Sequence, residues 1–377
     1  MKFAHISDLH LGKRLDNYSL IEDQRHILSQ IIKIALDEGC DGILIAGDIY
    51  DKASPSAEAV KLFDEFLTEL SRTSLSVYII SGNHDSAERI NYGREIMEKA
   101  DIHIAAEYDG KLSVVTVEDE YGSLDICMLP FLKPSMVRHY HEDHEIASYT
   151  DMIRAVIESS GIDKSRRCLM MCHQFISGAA TCDSEYLNVG TLDNVDANVF
   201  EGFDYVALGH IHGPQEPAKN VRYCGTPLKY SGSEIKHKKS VTIVELKGKN
   251  DVSVSTVPLV PLRDMHEIKG KYDEIMDKSF YEGKDLDDFY YITLTDNDEI
   301  LNVMQRLRTV YKNIVKLTFD NERTRTTSQV KRVENTASRS PFELFAGLYK
   351  EQNGVDLDEE QAEYIQSMIS RIWGDGR

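Results

Sequence analysis

Five short clusters of histidine, acid, amide and glycine punctuate the first 213 residues, and each follows an apolar run. They are Asp8-Leu9-His10 after 2–6, Gly47-Asp48 at the end of GILIAG, and Gly82-Asn83-His84-Asp85 after 77–81. Cys172-His173-Gln174 and Gly209-His210-Ile211-His212-Gly213 follow in the second half. A chain that ends strand after strand on such clusters is constrained to a sheet fold that gathers those ends. Ligands in such folds sit outside the carboxyl ends of the strands. Residues i and i+2 of an extended chain project to the same side, so Asp8 and His10 stand together.

The segments between the clusters read as helices. Leu20–Glu38 places Ile21, Leu28, Ile31, Ile32 and Ala35 on one face. Ser54 is expected to cap the next helix with Pro55 in its first turn, and Phe63, Phe66, Leu67 and Leu70 form its buried stripe. This βαβαβ order implies an α/β sheet with helices packed on it. Residues 112–117 and 124–129 read as a hairpin and 151–160 as a helix. Residues 222–225, 241–246 and 252–257 read as closing antiparallel strands. Prolines 258 and 261 mark a boundary. Residues 263–320 form a small α/β domain, 321–340 a polar linker, and 341–377 two amphipathic helices. Phe342, Phe345, Leu348 and Tyr349 line the first of these, Gly354 breaks it, and Tyr364, Ile365, Met368, Ile369, Ile372 and Trp373 line the second. Neither is long enough to be stable alone in water, so both must bury against something.

No apolar run approaches the ~18 residues that span a bilayer. Met1 leads directly into the first strand, which argues against a signal peptide. The six cysteines are scattered without a tight framework. Reduced thiols in a cytoplasmic protein are therefore expected. The net charge of −20 argues against an unaided grip on a phosphate backbone, since Lys and Arg supply that affinity. Any hold on nucleic acid must then be confined to patches, helped by bound metals or lent by a partner.

Together the clusters offer Asp8, His10, Asp48, Asn83, His173, His210 and His212. Mixed oxygen and nitrogen donors around acids suit two divalent ions bridged by one carboxylate. Two such ions can activate a water and hold attacking and leaving oxygens at phosphorus. Asp48, at the central strand end, is the expected bridge. Ligand type alone allows manganese, iron or zinc. His139-x-His141 is a tempting decoy, but it lies in an acidic loop with no strand before it.

The ordered pattern D-x-H, GD, GNHD, H and GHxH resembles the calcineurin-like metallophosphoesterase superfamily over residues 1 to about 230. HISDLHLGK, GDIYDKASPS, SGNHDS and YCGTPLKYSGSEIKHKKS at 223–240 narrow the resemblance to the SbcD family, the nuclease subunits of bacterial SbcCD complexes. The resemblance implies a two-sheet sandwich flanked by helices over 1–262, a capping, DNA-orienting domain over 263–320, and a partner-binding tail over 341–377. It implies two Mn²⁺ ions, one held by Asp8, His10, Asp48 and His212, the other by Asp48, Asn83, His173 and His210. It makes His84 the residue that stabilises the scissile phosphate and protonates the leaving oxygen, with Asp85 expected to hold the imidazole in its tautomer. Asp51 stands where archaeal and eukaryotic relatives carry a second functional histidine. The activity implied is that of a DNA repair nuclease: exonuclease on duplex ends, endonuclease on single strands and hairpins. Its implied partners are DNA, an SbcC-type ABC ATPase gripped by the C-terminal helices, and a second copy of the chain within a heterotetramer. The dimer face is sought in helix 55–70 or in the segment holding Ile90, Tyr92 and Ile96. A small-molecule phosphodiesterase or phosphatase sharing the core is the alternative, for which the segments after 260 have little use.

Overall fold

The computed structural model describes residues 1–182, 194–321, 341–353 and 356–373. The chain divides into two compact units, one of 1–293 with 300–318 and one of 294–299 with 319–377.

Two six-stranded sheets build the first unit. From edge to edge the first runs Val252–Pro258, Ser240–Leu246, Lys2–Ile6, Gly42–Ala46, Ser76–Ile80, Ile102–Ala105. Its last four strands are parallel to one another. The second runs Gln215–Ala218, Val221–Tyr223, Tyr205–Gly209, Arg167–His173, Gly122–Leu129, Ser113–Asp119, with its four inner strands parallel. The alternation of side chains along each strand gives every central strand two apolar faces. Phe3, Leu44, Ala46, Tyr78 and Ile80 of the first sheet pack against Ile126, Met128, Leu169, Met171, Tyr205 and Ala207 of the second. The intervening residues Ala4, Ile6, Ile43, Ile45, Val77 and Ile79 face the helices Ile21–Asp37 and Ala57–Leu70. On the far side of the second sheet, Cys127, Cys168, Met170, Cys172 and Leu208 meet the helix Tyr149–Ser159. The result is a two-sheet sandwich flanked by helices. It explains the near-continuous apolar strands, which are covered on both faces. It also explains Cys168 and Cys172, which share one buried face; every described cysteine is a free thiol.

Local chemistry sets the helix ends, with one shift from expectation. The second helix starts at Ala57, not at Pro55, because extended Ser56 is the cap and accepts the Ala59 N–H at 3.2 Å. Its stripe is as expected, and burial of Phe63 and Phe66 contributes about 1.5–3 kcal/mol each. Ser148 and Asp151 form a reciprocal capping box for Tyr149–Ser159. One strand reading is corrected. Val221–Tyr223 runs parallel to Tyr205–Gly209, and its antiparallel neighbour is Gln215–Ala218. That neighbour's sequence, QEPA, has neither apolar alternation nor a free N–H at Pro217, so it gave no strand signal.

Residues 263–293 are part of the first unit. Met265 and Phe289 belong to the same apolar cluster as Leu20 and Leu228, and Arg263 pairs with buried Asp23. Met265–Gly270, Phe289–Leu294 and Asn313–Phe319 form a three-stranded sheet. In the second unit the helices Pro341–Asn353 and Glu359–Trp373 match the expected pair. Asp358 caps the latter by a reciprocal bond with Gln361. The linker reading at 321–340 lies, apart from Asn321, outside the described residues, as does Gly354. Among the described residues no helix is long and apolar enough to cross a membrane.

Candidate metal centre

The parallel strands of both sheets deliver their carboxyl ends to one place. From the first sheet come Asp8 and His10, Asp48, and the turn 82–85; from the second come His173, His210 and His212. The first two loops keep pairing beyond their strands: Asp8 N–H bonds Gly47 O at 2.9 Å and His10 N–H bonds Asp48 O at 3.0 Å. Asp8, His10, Asp48 and His210 all have positive φ. Non-glycine residues adopt that conformation at a cost of order 1–3 kcal/mol, which a surrounding structure must impose. Glycine is required beside them. A Cβ at Gly47 would meet the His173 ring, and one at Gly82 the Asp48 carboxylate.

All seven expected ligands converge. Asp8, His10 and His212 each present an atom within 4.8 Å of the others, as do Asp8, Asp48 and His173. His10 Nε2 and His212 Nε2 face each other at 3.2 Å, and Asn83 Oδ1 lies 3.1 Å from His173 Nε2 and 2.9 Å from His210 Nδ1. Asp48 Oδ2 is 3.4 Å from His173 Nε2 and 3.8 Å from His10 Nε2, so this carboxylate reaches both halves of the cluster. Its other oxygen accepts the His84 N–H at 2.8 Å. Asp8 accepts the His210 N–H at 3.1 Å.

The tautomers are set from behind. His173 Nδ1–H donates to Ala46 O at 2.8 Å, which turns Nε2 toward Asn83 and Asp48. His212 Nδ1–H donates to Glu234 Oε1 at 3.1 Å, which turns Nε2 toward His10. A histidine that donates its second N–H to a carbonyl or carboxylate is the usual arrangement of a metal ligand.

Electrostatics support the same reading. Burial would raise the Asp48 pKa, but His173, His10 and His84 draw it well below the carboxylate range. Burial would lower His173, but Asp48 outweighs it and lifts the ring to about 9. Burial drops His210 to about 3 and His10 well below its usual value. His10 Nδ1 is buried with no hydrogen-bond partner among the described residues. The neutral, buried imidazoles of His10 and His210 beside the ionised Asp48 carboxylate suit a divalent transition ion, and the Asp48 charge that draws a proton onto His173 would equally draw a cation.

His84 lies at the rim, its ring centroid 4.9 Å from that of His10. Its Nδ1–H donates to Asp51 O at 2.9 Å. Asp85, expected to hold this ring, instead spends its oxygens on main-chain N–H groups. Oδ2 accepts from Ile49 at 3.1 Å and Gly82 at 2.9 Å, and Oδ1 from Tyr50 at 2.9 Å. Asp85 thus clamps the third loop to the second, and the carbonyl of Asp51 orients His84. The Asp51 side chain pairs with Lys13 at 2.8 Å. A cleft of about 640 Å³ opens beside His84, lined by Gly12, Lys13, Arg14, Asp51, Lys52, Ala53 and Asn83.

Two supports escaped the sequence reading. Gln24, buried on the first helix, donates to His10 O at 2.8 Å and accepts the Gly12 N–H at 3.0 Å. Its signal was a polar residue on the apolar stripe of Ile21 and Leu28. Glu234 lies in a single 3₁₀ turn without periodicity, and only its place in the 223–240 run marks it. The decoy His141 is bonded to Tyr108 Oη at 2.5 Å, and buried His5 sits between Tyr205 Oη and Leu208 O.

Residues 1–214 match the calcineurin-like phosphoesterase family, and residues 261–353 match a domain described as the type 5 capsule protein repressor C-terminal domain. The SbcD subunit of the nuclease SbcCD from Staphylococcus epidermidis is 32% identical over 99% of this chain and 99% of its own. The SbcD subunit from Staphylococcus saprophyticus is 30% identical over 100% of both. A dimetal phosphatase structure from Danio rerio aligns with a TM-score of 0.40 at 13% identity, over 68% of this chain and 98% of its own.

Proposed function

The chain belongs to the calcineurin-like phosphoesterases, and within them to the SbcD nuclease subunits; from that premise we propose a two-metal, manganese-dependent DNA nuclease that works with an SbcC-type ATPase in DNA repair. A metal-dependent phosphodiesterase is what family membership itself establishes. The observation that carries the finer reading is Asp48, one carboxylate reaching His10 on one side and His173 on the other. Asp8, His10, Asp48 and His212 would hold one ion, and Asp48, Asn83, His173 and His210 the other. Bound there, the ions supply charge neutralisation at the phosphate and activation of a water.

The chain's own residues do the rest. His84, oriented by the Asp51 carbonyl, faces the cleft where a phosphodiester enters and serves as acid to the leaving oxygen. Lys13, Arg14 and Lys52 line that cleft and give a chain of net charge −20 a local basic approach for DNA. Residues 263–320 cap the site and orient the duplex. The tail carries the ATPase contact: Phe345, Leu348 and Tyr364 are 40%, 54% and 64% exposed, and exposed apolar stripes on short helices fit a helix-in-groove contact. Tyr92 and Ile96, 83% and 75% exposed just after the third loop, suit a homodimer face. The buried free cysteines agree with a cytoplasmic setting.

The test is turnover of linear duplex, single-stranded and hairpin DNA against bis-p-nitrophenyl phosphate, with Mn²⁺ and with the ATPase partner present. DNA cleavage is expected. Robust turnover of the small ester with none on any DNA would favour a small-molecule phosphodiesterase.

A further inference from the structure

Behind His212, Glu234 belongs to a larger buried polar group that includes Lys239 and Thr226. Glu234 is fully buried, and Lys239 is 8% exposed. Glu234 Oε1 accepts the His212 Nδ1–H at 3.1 Å, and Oε2 accepts from Lys239 Nζ at 2.6 Å. The same ammonium donates to the backbone carbonyl of His212 at 3.0 Å and to Thr226 Oγ1 at 2.5 Å. Thr226 in turn donates to Leu228 O at 2.7 Å. All three side chains come from the run 223–240, which follows the GHIH cluster and contains none of the expected ligands.

The geometry has a direct chemical consequence. A carboxylate accepts only, so the Nδ1 facing it carries the proton and Nε2 carries the lone pair. Without an acceptor on that side, neutral imidazole distributes its proton between the two nitrogens. Lys239 holds the acceptor from two directions, gripping the Glu234 carboxylate and the main chain of the very residue that it orients. A buried ion pair is a poor source of stability but a good device for fixing one arrangement.

We propose that Glu234 is the positioning residue for His212, so that this carboxylate sets the affinity of one of the two metal positions and leaves the other largely untouched. The inference rests on the reading of His212 as a ligand, and the test separates the two.

Two full-length double variants are compared, both without the buried charges: Glu234→Gln/Lys239→Met, which keeps an acceptor for Nδ1–H, and Glu234→Leu/Lys239→Met, which removes it. Circular dichroism melting establishes that each is folded. Calorimetric titration of the metal-free proteins with MnCl₂ is expected to show two ions for the native chain. In the Leu/Met variant one of the two should weaken by about the 10–100-fold typical of lost outer partners, and the Gln/Met variant should lose less than about 10-fold. Independently of any metal, ¹⁵N-histidine spectra of the metal-free chain should show His212 protonated at Nδ1 in the native and Gln/Met proteins and mixed in the Leu/Met protein. Unchanged affinities and an unchanged tautomer in the Leu/Met variant would overturn the proposal, as would equal losses in both variants. A native chain that binds no second ion but keeps the Nδ1–H signature would instead overturn the two-metal reading.

Discussion

His84 and Asp85 are neighbours with different work. The ring of His84 is fixed by a main-chain carbonyl beside a cleft, whereas Asp85 is used up on three backbone N–H groups. His84→Ser should therefore retain both metals and DNA binding while cleavage falls by about 10²–10⁴-fold, the range of acid–base groups; loss of an ion on metal analysis would move His84 into the ligand set. Asp85→Asn should act on the loops. Losing part of a three-bond carboxylate clamp is expected to lower unfolding free energy by about 1–3 kcal/mol, read by urea denaturation. Sequence made the convergence of the seven candidate ligands legible because the spacing of these histidines, asparagine and aspartates after apolar strands is itself the signal. It misassigned Asp85 because an acid next to a histidine suggests a local pair, while its actual partners, Ile49 and Tyr50, come from a loop more than thirty residues earlier. Long-range hydrogen bonds to main chain leave no pattern in the string.

At the scale of elements, the strands were legible where burial on both faces makes them continuous, as in GILIA and LMMC, and the helices where one stripe is apolar. Gln215–Ala218 was not, because a short edge strand needs no apolar alternation, and the Ser54 cap was displaced to Ser56 because two serines flank one proline. Arg167 illustrates what joins such elements. Buried at the start of its strand, it donates to Asp119 and Gly122 of the hairpin and to Lys247 O at 2.7 Å. Burial alone would raise the Asp119 pKa, but the Arg167 guanidinium outweighs it and holds the carboxyl well below its usual range. A depressed folded pKa gives stability that is fully present above the unfolded value, about 3.9, and lost as pH falls below it. Asp119→Asn should thus lower stability at neutral pH by about 1.5–3 kcal/mol, the scale of a charged hydrogen bond, and flatten the loss of stability below about pH 4. An equal acid transition in both proteins, followed by denaturant midpoints, would contradict this.

The whole molecule separates a catalytic unit from a helical tail. Met265 and Phe289 share the core cluster with Leu20, so residues 263–293 are packed into the first unit, whereas the helices 341–353 and 359–373 belong to the other unit. A chain lacking 340–377 should hydrolyse bis-p-nitrophenyl phosphate at the native rate and fail to co-purify with the ATPase; unchanged co-purification would place the contact elsewhere. The proposed two-metal chemistry requires Asp48 to serve two ions at once. The most direct measurement is manganese content by mass spectrometry after loading and dialysis, for the native protein, His10→Ala and Asp48→Ala. Two ions are expected in the native chain, loss confined to one position in His10→Ala, and loss at both in Asp48→Ala. An Asp48→Ala protein that is folded and keeps both ions would contradict the bridging role.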